Sequence, residues 1–153
     1  MASMLVGATA VSVILQVTLQ GWVLGVATTH VVGGLIGWSN SLPNSTFYAD
    51  WASSQSFIVG DILEFNFQTR SHDVVAVTKS GYDACSGNDQ IASPVNNGPA
   101  NIPLSSAGGY YYICSFSGHF YAGQKLTINV ESLPSSSGNA PSPRLGAPPP
   151  PSS

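Results

Sequence analysis

Residues 110–130 read YYYICSFSGHFYAGQKLTINV, and this stretch decides the fold class. Apolar and polar residues alternate strictly over 125–130, a period of two that is typical of a strand with one buried face. Residues 110–114 are a run of aromatic and β-branched side chains of strand length. The stretch therefore predicts two strands that are joined by a loop.

Two further strands are predicted upstream of this pair. Residues 62–67 alternate with three apolar side chains on one face, and residues 74–78 are rich in β-branched side chains. Residues 93–103 are rich in Asn, Gly and Pro and predict turns, and only Phe47–Ser53 favours a helix. Several short strands with almost no helix predict an all-β fold, either a β-sandwich or a small barrel.

The composition excludes several classes of protein. Charged residues make up 7% of the 153 residues, where about 25% is usual, and hydrophobic residues make up 43%. This balance excludes the charge-rich type of disordered chain. With 4 Lys and Arg residues and a net charge of -3, the chain has no basic surface for nucleic acid. GxSxG, HExxH and glycine-rich phosphate motifs are missing, which leaves a hydrolase or nucleotide-binding function without support.

Residues 1–27 predict a secretory signal peptide. Residues 5–26 are mostly apolar and uncharged, and the small residues Gly25 and Ala27 favour cleavage after Ala27. No Lys or Arg precedes the apolar run, which departs from the usual signal. The alternative is a transmembrane anchor, because the run approaches the roughly 20 residues that span a bilayer. We expect cleavage and secretion.

Residues 132–153 predict an extended, disordered tail. They contain 7 of the 11 prolines and are otherwise mostly Ser, Gly and Ala, so they bury too little apolar surface to fold. They carry no hydrophobic stretch of the kind that a glycolipid-anchor signal requires. One compact domain is therefore expected over residues 28–131, as a monomer, with a glycosylation sequon at Asn44.

The loop between the last two predicted strands carries a candidate metal site. Cys114, His119 and Gln124 are spaced five and five, and a thiolate, an imidazole and an amide oxygen suit a borderline-soft transition metal. His72 precedes the strand at 74–78 and is the remaining candidate for a further strong ligand. Two His and one Cys with a weak axial Met or Gln form the ligand set of blue-copper electron-transfer sites. On the residues alone, a buried core thiol, ordinary loop histidines and a strand-edge amide stay open as alternatives, and His30 is expected to be structural or exposed.

The chain resembles the phytocyanins, which are extracellular cupredoxins of plants, and within them the stellacyanin-like group with an axial Gln. The similar segments are HVVGGLIGW at 30–38, FYADWASSQSFIVGDILEFNF at 47–67, HDVVAV at 72–77 and the stretch at 110–130. The resemblance implies a cupredoxin-like Greek-key β-sandwich of about seven to eight strands. It also implies location in the apoplast, in the cell wall or at the plasma-membrane surface. One mononuclear type 1 copper is implied, with the ligands His72, Cys114, His119 and Gln124.

One position departs from the phytocyanin pattern. The resemblance implies a disulfide between Cys85 and a Cys directly after His119, but position 120 is Phe. Loss of such a bridge from a small secreted domain typically destabilises it by roughly 2 to 5 kcal/mol. A free thiol, an intermolecular bridge and a bond to Cys114 all stay open for Cys85. We expect Cys85 to be a free, partly buried thiol, because Cys114 belongs to the loop that carries the candidate metal site.

Three functions compete. The first expectation is a mononuclear blue-copper protein, not an enzyme, that transfers single electrons outside the cell to or from an unknown redox partner, a protein or a small molecule. The alternative is a copper-free cupredoxin-like scaffold glycoprotein at the cell surface or in the cell wall. A zinc or copper enzyme is the third, and Asp73 is its nearest weak acid–base candidate.

Overall fold

The structure is a computed structural model that describes residues 26–133. Residues 1–25 of the predicted signal peptide and residues 134–153 of the predicted tail lie outside the described residues, so both interpretations stay predictions. Among residues 26–133, no helix has the length and apolar character needed to cross a membrane.

Within residues 26–133, seven strands form two mixed sheets. The strands are β1 Thr29–Val31, β2 Phe57–Ile58, β3 Ile62–Phe65, β4 Val75–Ala76, β5 Ala100–Pro103, β6 Gly108–Ile113 and β7 Lys125–Glu131. One sheet has the order β1-β3-β5 and the other the order β2-β7-β6-β4. The pairs β1–β3 and β2–β7 are parallel, and the remaining pairs are antiparallel. The prediction of an all-β, cupredoxin-like sandwich is confirmed.

Strand β7 confirms the predicted alternation. Leu126, Ile128 and Val130 are buried, while the polar side chains between them are exposed. The strand lies inside its sheet, between β2 and β6. Its apolar face shares one hydrophobic cluster with Leu63 and Phe65 of β3, in the other sheet. The core therefore lies between the two sheets, as the period-two pattern requires.

Two strand predictions need correction. Strand β3 ends at Phe65, so Phe67 lies beyond it and is only half-buried. The prediction of turns throughout 93–103 is wrong at its end, where β5 pairs with β3. Pro103 is tolerated there because β5 is an edge strand, so one side of it needs no backbone donors.

The helix prediction is confirmed for α1, Phe47–Ser53, and incomplete elsewhere. A second helix, α2, spans Lys79–Asp83, and a single 3-10 turn spans Gly87–Asp89. Five residues are too few to show a helical period, so only the N-cap marks this helix in the sequence. The Thr78 side chain accepts a hydrogen bond from the Gly81 N–H at 3.1 Å.

Strand β7 offers a direct test of the register. We expect Leu126→Ala to lower the free energy of unfolding by about 2–5 kcal/mol, because it empties a site at the centre of the core. The neighbouring substitution Thr127→Ala removes an exposed side chain and should change this free energy by about 0.5 kcal/mol or less. Denaturant unfolding of both variants checks the prediction, and equal effects would contradict the assigned faces.

Candidate metal centre

Backbone hydrogen bonds close the loop between β6 and β7. The backbone N–H of Cys114 donates to the backbone oxygen of Gln124 at 3.2 Å. The backbone N–H of Gln124 donates to the backbone oxygen of His119 at 3.0 Å. The His119 N–H in turn donates to the Phe116 oxygen at 3.0 Å. Three residues that are spaced five and five along the chain therefore lie side by side.

The pairing of β4 with β6 brings His72 to this loop. Val75 lies opposite Ile113 in the antiparallel pair, so the residues before β4 lie beside those after β6. His72 Nδ1 is 3.2 Å from His119 Nδ1, and Cys114 Sγ is 3.4 Å from His119 Nδ1. One ligand atom from each of these three residues lies within 4.8 Å of the other two. The structure thus brings together the three residues that the sequence predicts as strong ligands.

The protonation of these ligands follows from their burial. Burial raises the pKa of the Cys114 thiol to about 11, and the negative charge of Asp73 adds to this effect, whereas the N–H groups of Asp73 and Phe116 oppose it. Burial and the neighbouring His119 lower the pKa of His72, while the negative charge of Asp73 opposes this shift. His72 is therefore neutral near pH 7 and offers a lone pair to a metal. The thiol must lose its proton when a metal binds.

Gln124 shows that the site fits copper. Its side chain is fully buried, and neither Oε1 nor Nε2 has a hydrogen-bond partner. A buried amide without partners lowers the stability of the fold by roughly 1–3 kcal/mol, and its oxygen is free to bind a metal ion. A thiolate, two imidazoles and an amide oxygen form the donor set of a type 1 copper site. The role of each residue as a ligand stays a prediction.

Asp73 positions the two segments that carry the ligands. Its carboxylate accepts hydrogen bonds from the Ser115 N–H, at 2.6 Å, and from the Ser115 hydroxyl. Its backbone oxygen accepts from Trp38 Nε1 at 2.8 Å. The sequence suggested Asp73 only as a weak acid–base candidate, whereas the structure engages both of its carboxylate oxygens. The signal for its actual role was that Asp73 directly follows His72 and Ser115 directly follows Cys114.

Both Cys85 and Cys114 are free thiols, and Cys85 is half-buried as expected. Cys85 and Phe120 line one cavity of about 210 Å³, which also reaches Cys114. The Phe120 ring lies 4.7 Å from Lys125 Nζ and 6.1 Å from the ring of Tyr82 in α2. Aromatic and cation–π contacts therefore connect the loop to α2 where the phytocyanin pattern has a disulfide.

The cavity that Cys85 and Phe120 share allows a test of whether a disulfide could form between these two positions. We expect Phe120→Cys to form a disulfide with Cys85, because both side chains line the same space. Titration of the oxidised, unfolded variant should then detect one free thiol, that of Cys114. In the matched double variant Cys85→Ser with Phe120→Cys, the same titration should detect two. Three free thiols in the single variant would show that the two positions do not pair.

Comparison with known proteins agrees with this geometry. The model of the family described as "Plastocyanin-like domain" matches residues 38–124. Cucumber peeling cupredoxin from Cucumis sativus is 40% identical over 106 residues, which are 68% of this chain and 76% of that protein. Stellacyanin from Toxicodendron vernicifluum is 38% identical over 104 residues, which are 67% of this chain and 96% of that protein.

A solved structure extends the similarity to three dimensions. Cucumber stellacyanin, determined with Cu2+ at pH 7.0, aligns with a TM-score of 0.64 and 36% sequence identity. The alignment covers 71% of this chain and 99% of that chain. The chain therefore belongs to the plastocyanin-like domain family, and within it to the phytocyanins.

Proposed function

We propose that this chain is a mononuclear blue-copper protein that transfers single electrons in the extracellular space. One observation carries the proposal: His72, Cys114 and His119 present ligand atoms within 4.8 Å of one another, beside the buried, unpaired amide of Gln124. Relatives named cupredoxin and stellacyanin support a cupredoxin electron-transfer role.

Each ligand has a separate chemical role in this proposal. Copper bound at these side chains would supply a couple that takes up and gives back one electron. The Cys114 thiolate favours the cuprous state, and the imidazoles of His72 and His119 serve both states. The amide oxygen of Gln124 is a harder donor than a thioether, so it favours the cupric state. The hydrogen bonds of Asp73 keep these side chains in one arrangement in both states.

Exposure decides where a redox partner comes close to the site. Cys114 is 1% exposed and Gln124 is 0% exposed, so neither side chain meets a partner directly. His72 and His119 are only half-buried, and the Phe116 ring lies 5.6 Å from the His119 ring. An electron donor or acceptor, whether a protein or a small molecule, would therefore dock over the imidazole edges and the adjoining apolar side chain.

Secretion and glycosylation are part of the proposal. Residues 1–27 have the pattern of a secretory signal, and the Asn44 side chain is exposed just before α1. A glycan at Asn44 would meet no buried surface. We place the mature monomer in the cell wall or apoplast, or at the plasma-membrane surface.

A copper-free scaffold is the alternative, and one observation favours it. Cys85 lacks its usual partner and lines the same cavity as Cys114. A disulfide between these two residues would remove the thiolate that copper needs. The two functions therefore differ in the number of free thiols and in the ability to bind copper.

The visible spectrum tests the proposed function. After cupric copper is added to the secreted protein, we expect an intense thiolate-to-copper band in the wild type. Cys85→Ser should keep this band, because Cys85 is not a ligand, and Cys114→Ser should lose it. A wild type without the band and without free thiols would establish the scaffold, and a band that persists in Cys114→Ser would refute the assigned ligand.

The reduction potential tests Gln124. We expect Gln124→Met to raise the potential, because a thioether is a softer donor than an amide oxygen and favours the cuprous state. A rise of roughly 59 mV or more, tenfold in the one-electron equilibrium, would be measured by voltammetry. Thr127→Ala, on the solvent face of β7, is the control and should leave the potential unchanged. An unchanged or lower potential in Gln124→Met would contradict the role of Gln124 as a ligand.

A further inference from the structure

Asp61 is a second buried carboxylate, and the copper site does not use it. It lies between β2 and β3 and is 1% exposed. Its Oδ1 accepts a hydrogen bond from the Thr28 N–H at 2.9 Å. Its Oδ2 accepts from the Ile58 N–H at 3.1 Å and from His30 Nε2 at 3.0 Å. Burial alone would raise the pKa of Asp61, but these donors lower it, so the group is ionised at neutral pH.

In the part of the chain that the structure describes, no permanent cation faces this carboxylate. Buried carboxylates are normally paired with a cation. Within residues 26–133, no Lys or Arg forms an ion pair with Asp61. His30, on β1, is the one titratable side chain that contacts it there, and it carries charge only when protonated. The side chain behind His30 is the neutral amide of Gln55, 3.3 Å from Nδ1.

Thr28 is where hydrogen bonds begin to attach the chain to the folded domain. Its oxygen accepts a hydrogen bond from the Ile62 N–H at 2.9 Å, and its nitrogen donates to Asp61. The two preceding residues, Val26 and Ala27, are exposed. The peptide nitrogen that contacts Asp61 is therefore the one that cleavage after Ala27 would release.

We propose that Asp61 is the binding site for the α-ammonium group that cleavage of the signal peptide creates on Thr28. Hydrolysis of the Ala27–Thr28 peptide bond takes up one water, leaves a carboxylate on Ala27 and an amine on Thr28, and the amine gains a proton. An amide hydrogen bond thereby becomes an ion pair that is buried on the side of Asp61 and exposed on the side of Thr28. The inference rests on the proposed secretion of the chain, but not on copper binding.

The ion pair has a defined pH dependence. A charge-assisted hydrogen bond is roughly twice as strong as a neutral one. The anion raises the pKa of the Thr28 amine above the usual value of about 7.7–8.0. As long as Asp61 is ionised, the added stability is therefore complete below about pH 7.7 and is lost as the pH rises through the higher pKa of the folded state.

The experiment uses the full chain, secreted from a eukaryotic host, with the N-terminus of the product read by mass spectrometry. We expect Thr28 as the first residue. A second chain carries one glycine inserted between Ala27 and Thr28, and mass spectrometry confirms that its product begins with this glycine. The insertion moves the ammonium group about 3.8 Å along the chain and keeps the Thr28 amide as a donor. Its Tm should fall by roughly 4–8 °C at about pH 6 and match that of the parent at about pH 10.

Asp61→Asn supplies the matched background. It keeps a side-chain oxygen that accepts hydrogen bonds but removes the charge, so the insertion should no longer change the Tm. If Asp61→Asn does not fold, the loss of the Tm difference between the parent and the insertion chain at about pH 10 tests the proposal by itself. A first residue other than Thr28, an unchanged Tm after the insertion, or a gap that persists at high pH would overturn the proposal. The copper band is recorded separately, so its absence would refute the blue-copper function and leave this inference standing.

Discussion

The site depends on one buried carboxylate, Asp73, that joins two segments far apart in the sequence. Its side chain accepts two hydrogen bonds from Ser115, and its backbone oxygen accepts one from Trp38. Because His72 precedes Asp73 and Cys114 precedes Ser115, these bonds set the position of one imidazole relative to the thiol. Trp38 belongs to the cluster between the sheets, so the rigidity of the core extends to the ligands.

The opposite side of the ligand loop is held by side-chain contacts. Phe120 lies against Lys125 and Tyr82, and Tyr82 packs on Tyr111 of β6 with 5.6 Å between the ring centroids. Such contacts contribute about 0.5–1.5 kcal/mol each, less than a disulfide typically does, but several act together here. They also leave the Cys85 thiol free. The loop between β6 and β7 thus stays connected to α2 without a disulfide.

The sequence predicted the parts of this structure that local pattern determines. Strand β7 and the Cys114 loop were readable because period two and short spacing are local properties. Strand β5 was missed because turn residues precede it and it ends in a proline that only an edge strand tolerates. His72 could be preferred as a ligand over an ordinary loop histidine only through the resemblance to a family. Its approach to Cys114 arises from strand pairing and not from spacing along the chain. The positioning role of Asp73 was missed for the same reason, since it depends on Ser115 across the sheet.

Among the described residues, the two buried carboxylates, Asp61 and Asp73, follow one rule. The described chain carries few cations, so Asp61 and Asp73 are stabilised mainly by N–H and O–H donors on neighbouring segments. A carboxylate used in this way has a structural role, because its oxygens hold neighbouring segments together. Asp73, next to the candidate ligands, has both of its carboxylate oxygens hydrogen-bonded to Ser115. The hydrogen bonds that join these segments are thus also the ones that bring His72 and Cys114 to the same place.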